Sequence, residues 1–522
     1  MANQYGDYQT PQSLAQRVLH LLKRKGYDFP NVIEPTFGVG NFINEIPQVM
    51  SKTKTIHGLE LQKEYYQETL SKKVSNIDYD LYNDDFFKFD IQSLFNKEEN
   101  NLVVGNLPWV TVSQLSKFES QNIPQKSNIK GLKGYDALTG KSNFDIAEYM
   151  SLSLINIINK LKTKSVIALL VKKGVAKNII KYLPSSNITP TEFNIYKINA
   201  KKEFNVSVDA CLMVIEFNGS GKFKNTVNEY SLYDPDNLIK EFGWISDKFV
   251  SDVNKYNDCS IYDHLTKWNW RSGIKHDASK VMELTTDGDF WKNGLKEEFN
   301  KNLLDSKYIY PLVKSSDVHK QNIHKKFRKY IIVTQTKPGE DTSHIKNDSP
   351  SMWRYLQDHK RYFDKRKSSI YRKAPDFSIF GVGDYSFKPY KVAISGMYKN
   401  AKFAVLSPKN GKTVMTDDTV YFVGFDDMKD AVIFAGVLNS DKAQNLIASL
   451  IFKDSKRPYT KDLLKRIDVI SILKSMSTDE LNKSTFKTID NEDIQNFISK
   501  YDYDLSVWWI IGKHNPHNKL IK

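Results

Sequence analysis

Cysteine is scarce in this 522-residue chain: only Cys211 and Cys259 occur, too few for a disulfide framework or a four-cysteine zinc site. No run of about eighteen apolar residues is present, and the longest stretches, such as VIALLV at 166–171, are strand-sized. The N-terminal MANQYGDYQT lacks the basic-then-apolar order of a secretory leader. There is no internal repeat, no low-complexity segment, no HxE…CxxC deaminase pattern and no Asp…Glu-x-Lys nuclease core. These absences lead us to expect a cytoplasmic protein, not embedded in a membrane, with no metal.

Basic residues, by contrast, are in excess. Lys and Arg number 76 against 61 Asp and Glu, a net charge of +15. Residues 1–218 contribute 26 basic and 22 acidic side chains, and residues 219–522 contribute 50 and 39. The window 314–399 alone holds 19 basic and 8 acidic residues. A solvated basic face would explain such a window. So would a polyanion-binding surface, since cations on phosphates gain affinity by releasing counterions.

Over residues 1–218, short β-rich runs alternate with helical patterns, which predicts an α/β domain with a doubly wound parallel sheet. Strands are expected near 31–35, 55–61, 79–82, 102–106, 165–171, 191–198 and 208–217. The last two are joined only by 199–207, so the seventh strand should run in reverse. Asn218-Gly-Ser-Gly-Lys reads as a linker. Residues 219–522 are expected to form a second, mixed α+β domain, with a helical subdomain from about 427.

Candidate site residues cluster at the strand ends. Glu34-Pro-Thr36-Phe37-Gly38-Val-Gly40 leaves the first strand in a glycine turn, but lacks the third glycine of a dinucleotide loop. Glu60 ends the second strand, where a carboxylate could hold ribose hydroxyls. Asp85-Phe86 follows the third strand. The fourth ends in Asn106-Leu107-Pro108-Trp109. A buried strand-end Asn needs partners. Its side-chain oxygen and the next carbonyl could accept both hydrogens of an exocyclic amine, and Trp109 could stack on the base carrying it. A polar stretch, 110–143, follows with Lys126, Lys130 and Lys133.

Asn106–Trp109 resembles the (Asp/Asn/Ser)-Pro-Pro-aromatic motif of amino-methylating DNA methyltransferases. The glycine turn is similar to that family's motif I, and Tyr8-Gln9-Thr10-Pro11 to its motif X. Motif X, then motifs I to VIII, then a recognition region is the order of the gamma group of N6-adenine enzymes in type II restriction–modification systems. The resemblance implies a class I S-adenosylmethionine-dependent methyltransferase, Rossmann-like, with a seven-stranded sheet whose last strand is reversed. It assigns the cofactor to Thr10, Glu34, Thr36, Phe37, Gly38, Gly40, Glu60, Asp85, Phe86 and Asn106. It assigns catalysis to Asn106, Leu107, Pro108 and Trp109, with Phe204 facing the base from the other side, and places motif V at Ser142–Asp145. Leucine for the first proline leaves the carbonyl in place. Tryptophan is more frequent in cytosine-N4 enzymes, whereas Asn106 favours adenine.

The 219–522 half is then expected to recognise double-stranded DNA. Trp270–Asp277 and Lys314–Lys320 resemble recurring pieces of that region. Arg271, Lys275, Lys320, Arg361 and Arg366, with Lys126, Lys130 and Lys133, are the expected DNA contacts. A monomer working beside a cognate restriction endonuclease is the expected biology. The alternatives are an N4-cytosine enzyme, an RNA or protein-glutamine methyltransferase, and a non-catalytic DNA-binding protein on the same fold.

Overall fold

Leu14, Val18, Leu21 and Leu22 repeat at helical spacing, so Gln12–Arg24 forms a helix that buries this stripe and packs on the helix Asn41–Val49. The computed structural model describes residues 8–71, 77–110, 145–161, 163–218, 223–321, 327–454 and 457–502. Lys126, Lys130, Lys133 and the Ser142–Phe144 part of motif V lie outside the described residues.

The strands of the first part are β1 (Asn31–Glu34), β2 (Thr55–Leu59), β3 (Asp78–Tyr82), β4 (Asn101–Asn106), β5 (Ser165–Lys172), β6 (Glu192–Ile198) and β7 (Ala210–Phe217). They lie side by side in the order β6-β7-β5-β4-β1-β2-β3. The pairs from β5 through β4, β1 and β2 to β3 are parallel, and β7 runs antiparallel to both β5 and β6. This is the α/β order with a reversed seventh strand that the sequence predicts. Leu102–Val104 and Val166–Val171 are 0% exposed, as expected for central strands covered on both faces.

The sheet does not stop at β7. Three more strands, β8 (Thr226–Ser231), β9 (Lys240–Ile245) and β10 (Lys248–Val250), extend it to ten strands beyond β6. β8 pairs in parallel with β6, satisfying backbone groups that an edge strand would expose. Tyr196 stacks on Tyr230 at 5.3 Å, and Lys173 pairs with the buried Glu229 at 2.6 Å. The division expected at 218/219 is therefore displaced: the chain separates into Met1–Asn254 and Lys255–Lys522.

The second unit holds two sheets. One is antiparallel and runs in the order Arg271–Ser272, Val420–Phe425, Tyr390–Ser395, Phe403–Leu406. The other has six strands and includes Glu283–Asp287, Lys329–Ile332 and Ile309–Val313. Met428–Asn439 packs against three strands of the first sheet, so the helices after 427 are a layer of this unit and not a separate subdomain. The two segments that resemble recurring recognition pieces share a structural partner, the buried Glu283. His276 Nε2 lies 3.5 Å and Lys314 Nζ 2.6 Å from its Oε1, and Lys329 pairs with Oε2. Among the described residues, no helix is long and apolar enough to cross a membrane.

Candidate active site

The ends of β1, β2, β3 and β4 converge where the strand order reverses between β1 and β4, the place where open α/β sheets bind ligands. A cleft of about 780 Å³ opens there, lined by Thr36, Gly38, Glu60, Phe86, Leu107 and Pro108 among others. Beside it lies a smaller recess of about 270 Å³ bounded by Thr10, Glu34, Thr36, Phe37 and Gly38. Tyr8 and Asn106 border both.

Gly38 sits at φ +56°, and a Cβ there would come within 2.4 Å of Gln9 Oε1. The turn therefore needs glycine for its conformation, and the Gln9 side-chain amide packs into the space a Cβ would take. Glu60 Oε2 accepts the Gly38 N–H at 2.8 Å and Oε1 accepts the Gln62 N–H at 2.7 Å, so the second acid is fixed to the turn of the first strand. Glu34 is 2% exposed, and its Oε2 is a buried acceptor with no partner. Burial pushes its carboxyl well above the usual range; a backbone hydrogen bond at Ile43 pulls the other way, and the nearby Glu60 adds to the rise.

Asn106, at the end of β4, donates from Nδ2 to the Tyr8 carbonyl at 2.6 Å, while its Oδ1 is buried and unpartnered. Thr36 Oγ1 donates to the Asn106 carbonyl at 3.1 Å. The loop thus presents one unmet acceptor at the cleft, with Leu107 and Pro108 next to it.

Thr10, Glu34, Thr36, Phe37, Gly38, Glu60, Phe86, Asn106, Leu107 and Pro108 are brought together around these two spaces. Four residues are placed differently from expectation. Asp85 turns onto its own loop, accepting the Phe87 N–H at 3.0 Å with Lys88 Nζ 3.6 Å away, and the acid bordering the cleft is Asp84. Gly40, at φ +77°, caps the helix Asn41–Val49 against Thr69 and does not line either space. Trp109 is 5% exposed and donates its indole N–H to the Leu170 carbonyl at 3.4 Å. It meets Phe204 edge-on at 5.0 Å, and neither ring lines the cleft. A base stacked between two rings needs roughly 7 Å, twice a van der Waals contact of about 3.5 Å, so this slot is closed here.

Among the lining residues that sequence reasoning left without a role are Tyr8, Asp84, Phe87 and Met150. Tyr8 stood in the motif X tetrapeptide and Asp84 beside Asp85, so both carried a signal. Phe87 and Met150 are apolar residues that only the fold places.

In the second unit, Arg271 lies over the Tyr385 ring at 4.8 Å and Lys275 pairs with Asp277 at 2.9 Å. Lys320 and Arg361 are exposed, the latter over Tyr362 at 5.0 Å. Arg366 is not available as expected. Its guanidinium donates to the carbonyls of Ser378 at 2.6 Å and Phe363 at 3.0 Å and lies 3.8 Å from the Tyr371 ring centre, so it braces the fold.

Among the described residues the lining includes Glu34, Glu60 and Asp84 but no Lys or Arg, which suits a ligand carrying positive charge and a nucleoside better than a pyrophosphate. Glu34 Oε2 would take the ammonium, Glu60 the ribose hydroxyls, and Asp84 with Phe86 the adenine of S-adenosylmethionine. Fold and site together define a class I S-adenosylmethionine-dependent methyltransferase. No family model matches the chain. It is 37% identical over 473 residues to the type II methyltransferase M.NspV of Nostoc sp. (strain ATCC 29411 / PCC 7524), covering 89% of this chain and 96% of that one. The solved structure of the type IIL restriction-modification enzyme MmeI in complex with DNA is similar in fold, with TM-score 0.51 and 12% identity over 96% of this chain and 73% of that chain. The chain belongs to the type II methyltransferases of restriction–modification systems; S-adenosylmethionine is its methyl donor and DNA methylation its activity.

Glu34 gives a first expected result. Pairing with an ammonium favours the ionised carboxylate, so the raised value must fall on binding and a proton must leave. Affinity for S-adenosylmethionine is expected to strengthen as pH rises toward the raised value and to level off above it. Calorimetry in two buffers of different ionisation enthalpy should show proton release, and Glu34→Gln should abolish it. Equal heats in both buffers at every pH would refute this placement of the ammonium.

Proposed function

We propose that the protein methylates the N6 amine of an adenine flipped out of duplex DNA at a specific sequence, as the modification partner of a restriction endonuclease and as a member of the gamma group. The observation that carries the reading is the unpartnered, buried Oδ1 of Asn106 beside the cleft. S-adenosylmethionine supplies a methyl group on a positively charged sulfur. The adenine amine is a poor nucleophile because its lone pair is delocalised into the ring. Asn106 Oδ1 and the Leu107 carbonyl accept its two hydrogens, which favours a tetrahedral nitrogen with a localised lone pair in the transition state. As the N–C bond forms, the C–S electron pair stays on sulfur. The nitrogen, now positive, is strongly acidic and loses a proton to solvent.

Extrusion of the base costs a few kcal/mol, and the pocket must offset this. Trp109 and Phe204 have to part to admit it. Phe204 ends the five-residue helix Ala200–Phe204, followed by Asn205 at φ +56°, whereas Trp109 is tied to β5. Phe204 is therefore the ring that moves. Arg271, Lys275, Lys320 and Arg361 of the second unit, with Lys126, Lys130 and Lys133, contact DNA in this reading. The protein acts as a monomer, since one chain carries every required part.

Trp109, in place of the more usual tyrosine, keeps cytosine N4 as the second reading. Single-molecule sequencing of DNA from cells expressing the gene should show modified adenines in one sequence context. Modified cytosines in one context would establish the second reading, and unmodified DNA would refute both.

A further inference from the structure

We infer that the Tyr8 carbonyl selects asparagine over aspartate at position 106, by holding the amide so that its oxygen faces the target amine. This rests on the reading of Asn106 as acceptor of that amine. A backbone carbonyl can only accept, so the group facing it across 2.6 Å must be the amide nitrogen. A flipped amide would set two oxygens against each other at that distance. The oxygen is therefore left for the cleft, where it is buried and unpartnered.

Both sides of this contact are anchored by neighbouring hydrogen bonds. Residues 8–10 are pinned on two further sides: Gln9 Oε1 accepts the Val39 N–H at 3.0 Å, and Asn41 Nδ2 donates to the Thr10 carbonyl at 2.6 Å. Asn106 is held by its register with Leu170 on β5 and by Thr36 Oγ1 on its carbonyl. The N-terminal segment is thus a positioning element for the catalytic loop, acting through Asn106.

Aspartate has the same shape but two equivalent oxygens. Ionised, it sets a charged oxygen against the Tyr8 carbonyl. Protonated, its hydroxyl donates to that carbonyl and its other oxygen faces the cleft, which restores the asparagine geometry. The surrounding charges favour the neutral form. Those charges are Glu60 after β2 and Asp84 after β3, which border the same space; Glu34 of β1 is itself held toward its neutral form by burial, and Asp145 is paired with Lys172 of β5 at 2.6 Å. The neighbouring rings, Trp109 and Phe204, are uncharged.

The test is Asn106→Asp, with kcat on site-containing duplex DNA measured at saturating S-adenosylmethionine from roughly pH 5.5 to 8.5, as a ratio to the parent protein. The ratio is expected to be highest at low pH and to fall by up to about tenfold per pH unit above the raised carboxyl value. Melting temperature gives a readout independent of activity: the deficit of the variant should widen as pH rises, because the folded state favours the protonated acid. A ratio independent of pH overturns the inference, as does a folded variant that recovers no activity at the acid end. If Asn106→Ala keeps normal turnover, the reading of Asn106 itself is wrong. If Asn106→Ala is inactive and Asn106→Asp is insensitive to pH, only the role of Tyr8 falls.

Discussion

Replacing Asn106 with alanine is expected to lower the single-turnover rate of methyl transfer by roughly 10²–10³, which corresponds to about 2.7–4 kcal/mol of transition-state stabilisation. The substitution removes the unpartnered Oδ1 and leaves Leu107, Pro108 and the acids of the cofactor recess in place. It also frees the Tyr8 carbonyl, at a stability cost of about 1–3 kcal/mol for a buried acceptor left unmet. The variant should therefore melt earlier yet bind S-adenosylmethionine within a few-fold of the parent. Rapid-quench measurement under single turnover separates this from a binding defect. A fluorescent adenine analogue at the target position should still report extrusion, because the rings are untouched. Trp109→Ala should behave in the opposite way and lose retention of the flipped base, since a stacking platform contributes about 1–3 kcal/mol.

The second large effect concerns stability. Glu283→Ala is expected to destabilise the protein by about 3 kcal/mol, because it leaves His276, Lys314 and Lys329 facing a buried site without a counter-charge. The lower end of the usual range applies, since Lys314 and Lys329 are 31% and 42% exposed and water can relieve part of the repulsion. Burial raises the Glu283 carboxyl, but hydrogen bonds from His276, Lys314 and Lys329 outweigh it and hold the value at about 2, below the ordinary 4.5. Folding thus favours the ionised form. The contribution is full above about pH 4.5 and is lost as pH falls toward 2. Thermal melts of the parent and Glu283→Gln should be furthest apart near neutrality and converge in acid. S-adenosylmethionine affinity should not change, because Glu283 lies in Lys255–Lys522 and the cofactor recess in Met1–Asn254. A Glu283→Ala variant melting with the parent at neutral pH would show that the cluster contributes nothing.

The strands that build the site were legible in the sequence because central parallel strands must be apolar on both faces, and VIALLV or LVV can be little else. The short 199–207 connection forced β6 and β7 into a hairpin, and so revealed the reversed strand. β8 to β10 were not legible. They are short, lie outside the central core, and exist because β6 offers them an edge, a property of the assembled sheet and not of residues 226–250. The second unit was opaque for a related reason: Arg271–Ser272 is a two-residue strand defined only by pairing with Val420–Phe425, far along the chain. Within the site, backbone-determined features were readable, namely the glycine turn and the strand-end Glu34, Glu60 and Asn106. Side-chain direction was not. Asp84 and Asp85 are adjacent, and which one meets the cleft depends on a hydrogen bond to the Phe87 N–H. Arg366 looked like its neighbours in a basic run until the carbonyls of Ser378 and Phe363 claimed it.

The most direct measurement is the identity of the methylated nucleoside. Purified protein would be incubated with methyl-labelled S-adenosylmethionine and duplex DNA, with RNA and protein substrates in parallel. The polymers would then be digested and the labelled product separated by mass. The account predicts N6-methyldeoxyadenosine from duplex DNA, no label in RNA or protein, and loss of the product with Asn106→Ala. Label in N4-methyldeoxycytidine, in RNA or in protein, or undiminished N6-methyldeoxyadenosine from Asn106→Ala, would contradict it.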